Sequence, residues 1–176
     1  RTEYAYDAYG NQVETRYPDG TKNTRSYDAE GNLLSVTDAA GHTTRYKYDK
    51  LNRQTKVIHP DNSFTQTEYD AAGRVITQID EEGNQTEYRN DKAGRRTQIK
   101  NALGQLTTFV YDKNGNLISQ TDANNHTISY QHDALDRRVK TTYPNNLAKE
   151  DIYDLSGRLV AEKDLAGHET QYQYDE

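Results

Sequence analysis

The chain contains no cysteine, methionine or tryptophan, and its 176 residues include only two phenylalanines, three prolines and 27 Leu, Ile, Val and Phe together. Lack of cysteine excludes a disulfide framework and a thiol nucleophile; it fits a bacterial secreted or surface protein and the cytosol equally well. No run of 18 apolar residues is present, so no segment reads as a membrane-spanning helix. The 22 Lys and Arg form no cluster, and a net charge of −6 with a pI near 5.4 argues against nucleic acid as a partner. There is no P-loop, dinucleotide fingerprint or nucleophile elbow. So few aliphatics bring the composition near that of disordered chains, for which about 20% is the usual boundary. Tyrosine argues the other way, because 12 of the 15 fall in two slots of a repeat and disordered chains lack aromatics.

That repeat is 21 residues long. Tyr6-Asp7, Tyr27-Asp28, Tyr48-Asp49, Tyr69-Asp70, Tyr111-Asp112, Tyr153-Asp154 and Tyr174-Asp175 mark it, and Asn90-Asp91 and His132-Asp133 fill the two gaps. Three residues after the first eight of these Asp come Gly10, Gly31, Asn52, Gly73, Gly94, Gly115, Asp136 and Gly157. Ten further on come Gly20, Gly41, Asn62, Gly83, Gly104, Asn125, Asn146 and Gly167, so all eleven glycines lie in two slots. Only Gly, Asn and Asp occur there, the residues that enter the left-handed backbone region at least cost, which predicts positive φ at both slots.

An Asp followed three residues later by Gly signals a type I turn, and the unit contains it twice, as in Asp28-Ala29-Glu30-Gly31 and Asp38-Ala39-Ala40-Gly41. Between the turns lie runs such as Asn32 to Thr37 and His42 to Tyr48, of strand length and too short for helices. Thr44, Tyr46 and Tyr48 alternate with Thr43, Arg45 and Lys47, the pattern of a strand with unlike sides. Each unit therefore reads as a β-hairpin, with tyrosines pairing across neighbouring strands.

A 42-residue period lies over the first. Asp38, Asp80, Asp122 and Asp164 open one kind of tip turn; Pro18-Asp19-Gly20, Pro60-Asp61-Asn62 and Pro144-Asn145-Asn146 make the other. Asn101-Ala102-Leu103-Gly104 stands where a proline turn is due and reverts to the first kind. Tyr4, Tyr46, Tyr88, Tyr130 and Tyr172 recur every 42 residues, alternating with Arg25, Thr67, Phe109 and Asp151.

The predicted fold is all-β: tandem 21-residue hairpins in a single curved or spiralling antiparallel sheet, one repeat array over residues 1–176 with no separate toxin or protease domain. Sixteen strands at about 4.8 Å would span roughly 75 Å if flat. So wide a twisted sheet curls, and a closed barrel of that strand number encloses water. The chain opens at Tyr4-Ala5-Tyr6 inside a unit and stops on Tyr174-Asp175, which reads as a segment of a longer array.

Tyr27-Asp28-Ala29-Glu30-Gly31-Asn32-Leu33, Tyr69-Asp70-Ala71-Ala72-Gly73-Arg74-Val75 and Tyr153-Asp154-Leu155-Ser156-Gly157-Arg158-Leu159 closely resemble the YD repeats of Rhs proteins, and the similarity covers the whole chain. The resemblance implies a sheet that spirals into a hollow shell, as in bacterial Rhs polymorphic toxins, the C components of insecticidal Tc toxins and animal teneurins. In bacterial members the shell encloses a variable C-terminal toxin domain before delivery through a secretion or injection apparatus. The family's shell-closing, self-cleaving segment is built around Asp-Pro-x-Gly; no Asp-Pro occurs here, so no cleavage centre carries over.

Other chemistry is sparse. His42, His126 and His168 share one slot after the tip turn, and a row of imidazoles can bind metal or sense pH. Their spacing along the sheet, roughly 19 Å, is too wide for one ion. The recurrent Asp residues read as turn caps rather than calcium ligands, since each turn has one dependable carboxylate. The row Asn32, Arg53, Arg74, Arg95, Asn116, Arg137 and Arg158 is either solvated or sheet-crossing, or it contacts cargo. Asn84-Gln85-Thr86 and Asn125-His126-Thr127 match the glycosylation sequon, as expected by chance in an Asn- and Thr-rich repeat.

No metal, cofactor or catalytic residue is expected. The leading functional reading is a secreted or surface wall segment that encapsulates a C-terminal toxin of its parent chain, with secretion-apparatus components as further partners. The alternative is an adhesion module that binds cell-surface glycans, and a hydrolase comes last. The residues expected to matter are structural: the Tyr-Asp pairs and the turn glycines.

Overall fold

The computed structural model describes residues 1–175, and every regular element among them is a β-strand. Contacts divide the chain into two compact units, Arg1–Glu87 and a second beginning at Tyr88. The first holds β1 (Glu3–Tyr6), β2 (Gln12–Arg16), β3 (Lys22–Tyr27), β4 (Leu33–Thr37), β5 (Thr43–Tyr48), β6 (Gln54–Ile58), β7 (Phe64–Tyr69), β8 (Val75–Ile79) and the start of β9 (Gln85–Asn90). The second holds the rest of β9 and β10 (Arg96–Lys100), β11 (Leu106–Tyr111), β12 (Leu117–Thr121), β13 (Thr127–His132), β14 (Arg138–Thr142), β15 (Ala148–Tyr153), β16 (Leu159–Lys163) and β17 (Glu169–Gln171). Within the first unit each strand pairs antiparallel with the next, from β1 through β8 to Gln85, Thr86 and Glu87 of β9. Within the second the same meander runs from β10 to β17.

Each unit is a single layer without a core. Among the described residues only Thr15 and Ala161 are buried, at 7% and 6% exposure, and no side chain is fully buried. That is the consequence of the aliphatic-poor composition: stability must come from the backbone ladder and from side chains lying along the sheet.

All sixteen turn slots have positive φ, from 58° at Asn52 to 100° at Gly115. The turns close as type I turns with the left-handed residue fourth: Gly31 N–H donates to the Asp28 carbonyl at 3.2 Å, and Asp28 N–H to the Asn32 carbonyl at 3.0 Å. The strands are each one residue shorter than the runs in the sequence, because Asn32 and His42 spend their carbonyls closing the turns rather than extending the ladder. Pro18, Pro60 and Pro144 occupy the second turn position, where no N–H is needed and φ near −65° fits. There Asp19 and Asp61, two places later than a turn-opening Asp, accept from the N–H of Thr21 and Ser63 at 3.0 and 2.9 Å. Asn101 does its usual Asp neighbour's work, accepting from the N–H of Leu103 and Gln105 at 3.1 and 2.9 Å.

One feature of register is absent from the sequence reading. Beside the Tyr-Asp turns the pairing slips by one residue, leaving Val13, Leu34, Thr55, Ile76, Ile118, Val139 and Val160 as β-bulges. The bulge is a matter of parity. Side chains alternate with period 2, so an odd repeat of 21 residues would put equivalent side chains on opposite faces of successive hairpins. One extra unpaired residue per repeat restores the same face. Arg25 thus lies in one row with Val36 and Thr44, whereas its repeat equivalent is Tyr46, two residues further along. Two residues of stagger for every two strands inclines the strands by about 35° from the perpendicular to the sheet's long direction, the tilt found relative to the axis in barrels. Thr55 turns the bulge position to use by donating its hydroxyl to the Lys47 carbonyl at 3.2 Å, and Thr97, 42 residues on, donates to the Arg89 carbonyl at 3.3 Å.

Candidate functional site

The repeated feature with the densest interactions is the rim of Tyr-Asp turns. Its Asp is a double acceptor. Asp49 Oδ1 takes the N–H groups of Leu51 and Arg53 at 2.9 and 3.1 Å, while Oδ2 takes Arg53 Nε at 2.8 Å. The Arg53 guanidinium holds the Asp49 carboxyl below the usual carboxylate range, and Arg74, Arg137 and Arg158 do the same for Asp70, Asp133 and Asp154. Where the partner is Asn, its amide reaches Oδ2 instead, as Asn11 does to Asp7 at 3.0 Å and Asn32 to Asp28 at 2.9 Å; these amides lower the two carboxyls likewise. Asx-turn capping is therefore what the recurrent Asp does.

The arginines also reach forward. Arg53, Arg95, Arg137 and Arg158 lie over the rings of Tyr69, Tyr111, Tyr153 and Tyr174 at 4.6, 4.7, 4.5 and 5.2 Å from the centroids. Nη1 of Arg95 donates to the Asp112 carbonyl at 3.1 Å and that of Arg53 to the Asp70 carbonyl at 3.4 Å. Four members of the row are thus sheet-crossing: each of these guanidiniums joins its own Asp to the next repeat's Tyr.

The tyrosines reach back. Tyr27, Tyr48, Tyr69, Tyr111 and Tyr174 donate their hydroxyls to the carbonyls of Gln12, Leu33, Gln54, Arg96 and Leu159, each fifteen residues earlier, at 2.7 to 3.3 Å. The tyrosines expected from the sequence to pair across strands make this hydroxyl bond, which at Tyr69, Tyr111 and Tyr174 lies below a guanidinium. Tyr6 is exposed on β1, and Asp7 caps its turn as elsewhere. At the two gaps in the Tyr series the shorter side chains fall short: Asn90 Nδ2 and His132 Nδ1 are buried without a hydrogen-bond partner. The signal was in the sequence as the two missing tyrosines, but nothing there showed what a tyrosine does.

Gly10, Gly31, Gly73, Gly94, Gly115 and Gly157 close the same turns, at φ between 83° and 100°. On the opposite rim His42, His126 and His168 each meet their own turn Asp, Nδ1 to Oδ2 of Asp38, Asp122 and Asp164 at 3.1, 3.2 and 3.0 Å. They serve the slot that Asn84 fills beside Asp80 at 2.9 Å, so the histidines are turn partners rather than a shared row. Among the described residues no three His, Asp or Glu are grouped to hold a metal. No helix of the described chain is long and apolar enough to cross a membrane.

Comparison with known proteins agrees with this architecture. The RHS Repeat family matches residues 27–63, 69–110 and 111–148. A search of curated protein sequences found no match. Among solved structures, a mutant form of the Photorhabdus luminescens Tc holotoxin pore aligns with TM-score 0.60 and 20% identity, over 84% of this chain and 9% of that chain. The TcdB2-TccC3 complex aligns with TM-score 0.50 and 18% identity over 99% of this chain and 12% of that one. The TcdB2-TccC3-Cdc42 complex gives TM-score 0.50 and 15% identity over 92% and 12%. At these identities the likeness is one of fold, and the chain spans about a tenth of the length of those proteins. With its repeats matched over more than half its length, the chain belongs to the RHS Repeat family.

Proposed function

We propose that this chain is a wall segment of a hollow β-shell that encapsulates a C-terminal toxin domain of its parent chain before secretion or injection. It acts by exclusion and carries no catalytic step. The observation that supports this reading is the coreless, staggered array of an RHS Repeat protein, in which tyrosine hydroxyls tie the open ends of hairpins and arginines reach from one Tyr-Asp turn to the next. A core-free sheet is stable only if neighbouring repeats hold one another, and strand tilt of the barrel kind makes such a sheet curl around a space. Its small polar and tyrosine-rich surfaces give an enclosed chain little apolar area on which to fold or stick.

The test uses the full parent chain. Limited proteolysis of the segment that follows the repeats, before and after mild denaturant opens the sheet, should show protection that disappears on opening. A downstream segment digested equally fast in both states sinks the container reading.

A second reading, glycan binding, has one local observation in its favour. Tyr46 and Tyr48 line an open depression of about 610 Å³ together with Asp28, Asp49 and Asn52, and no guanidinium lies over either ring. Along much of the sheet the ring faces are taken: Arg96 and Arg138 lie over Tyr88 and Tyr130 at 3.9 and 5.5 Å, and other arginines over Tyr69, Tyr111, Tyr153 and Tyr174. A sugar-stacking row along the sheet is therefore the weaker proposal. Glycan-array binding that disappears on Tyr46→Ala would reverse that ranking.

A further inference from the structure

Along the Tyr-Asp rim, the residue after each turn meets the left-handed position of the next turn, twenty residues later, in one of two ways. Where it is arginine, glycine stands opposite: a Cβ built on Gly73, Gly115 or Gly157 would lie 3.4, 3.6 or 3.4 Å from Nη1 of Arg53, Arg95 or Arg137. A Cβ alone would make ordinary van der Waals contact, so a longer side chain would have to share its surroundings with a guanidinium already held between its own Asp and the next Tyr. At two of the three asparagines a side chain stands opposite and is bonded: Asn32 Nδ2 to Asn52 Oδ1 at 2.9 Å, and Asn116 Nδ2 to Asp136 Oδ1 at 2.6 Å. Asp136 takes Asn114 Nδ2 as well, at 2.8 Å. The only two side chains in the left-handed position of this rim, Asn52 and Asp136, both follow an asparagine. Asn11 faces Gly31, so asparagine permits a side chain there without requiring one.

We infer that this pair of positions is a pairing code between consecutive repeats. Arginine specifies glycine in the next turn, and asparagine admits an Asn or Asp that it then bonds. The code explains why the glycine slot is broken at Asn52 and Asp136 and not at Gly73, Gly115 or Gly157. Left-handed propensity alone does not, since Asn and Asp tolerate that conformation at any of these turns. It also limits which repeats are compatible as neighbours: a repeat ending its turn in arginine calls for a glycine-bearing successor.

The code is tested by exchange in the intact chain. Gly73→Asn should lower the melting temperature by roughly 2–4 °C or more. Adding Arg53→Asn should recover most of that loss, because the double variant recreates the Asn32 and Asn52 pair. If Gly73→Asn does not fold, recovery of a folded protein by the double variant reads the same way. The reciprocal pair is independent: Asn32→Arg should destabilise beside Asn52 and be relieved by Asn52→Gly. Losses that simply add in both cycles, or a Gly73→Asn variant as stable as the parent, would overturn the code.

Discussion

The Tyr48 hydroxyl donates to the Leu33 carbonyl at 3.0 Å, across a separation of fifteen residues, and so ties the open end of the hairpin formed by β4 and β5. Partial burial and the nearby Tyr46 and Asp28 push the Tyr48 phenol above its usual range, so it stays a donor throughout physiological pH. Tyr48→Phe keeps the ring and removes the bond. It should cost about 0.5–1.5 kcal/mol in urea unfolding, and Tyr111→Phe a similar amount from its bond to Arg96. Two silent variants would mean that the hydroxyls contribute nothing to tying the hairpins.

His132 occupies a tyrosine slot and leaves Nδ1 buried without a partner. His132→Tyr would place a hydroxyl within reach of the Leu117 carbonyl, fifteen residues back, as Tyr111 reaches Arg96. Stability should rise by about 0.5–1.5 kcal/mol in the same assay. A loss instead would show that the slot has adapted to imidazole.

Gly94 sits at φ +87°, a conformation that β-branched residues resist strongly. Gly94→Val should cost about 1–3 kcal/mol. Asn125→Gly, at φ 63° on the other rim, should change stability by no more than a few tenths of a kcal/mol in chemical denaturation. Equal effects from the two variants would contradict the turn geometry.

Acid should unfold the array through its turn carboxylates. Turn N–H groups, amides and guanidiniums lower Asp7, Asp28, Asp38, Asp49, Asp70, Asp133, Asp154 and Asp164 below their unfolded values. A depressed folded pKa means that the unfolded chain binds protons first as pH falls. The stabilisation is therefore fully present above the unfolded value near 3.9, and is lost as pH drops below it through the folded values. The urea midpoint should hold from neutrality to about pH 5 and fall steeply below about pH 4. A midpoint independent of pH down to 3 would remove the carboxylates from the account.

Much of this fold was legible because each turn is a local chemical event. Gly, Asn and Asp in two slots announced positive φ at all sixteen, and Asp three residues before twelve of them announced the caps. The bulges were legible in principle, since an odd period built from two turns of equal length requires one, but the bulge residues Leu34 and Ile76 look like any strand aliphatic. The rim was harder. That Tyr48 bonds a carbonyl, or that Arg95 bridges Asp91 to Tyr111, depends on the stagger between strands, which composition and spacing do not give. His42, His126 and His168 aligned as a row in sequence, yet each is absorbed by the Asp four residues before it.

The most direct test of the wall reading is the structure of the intact parent chain by electron cryomicroscopy. The account predicts repeats that curve around a closed space holding density for the segment downstream of them. An open ribbon of repeats, with that segment folded outside it, would contradict the account.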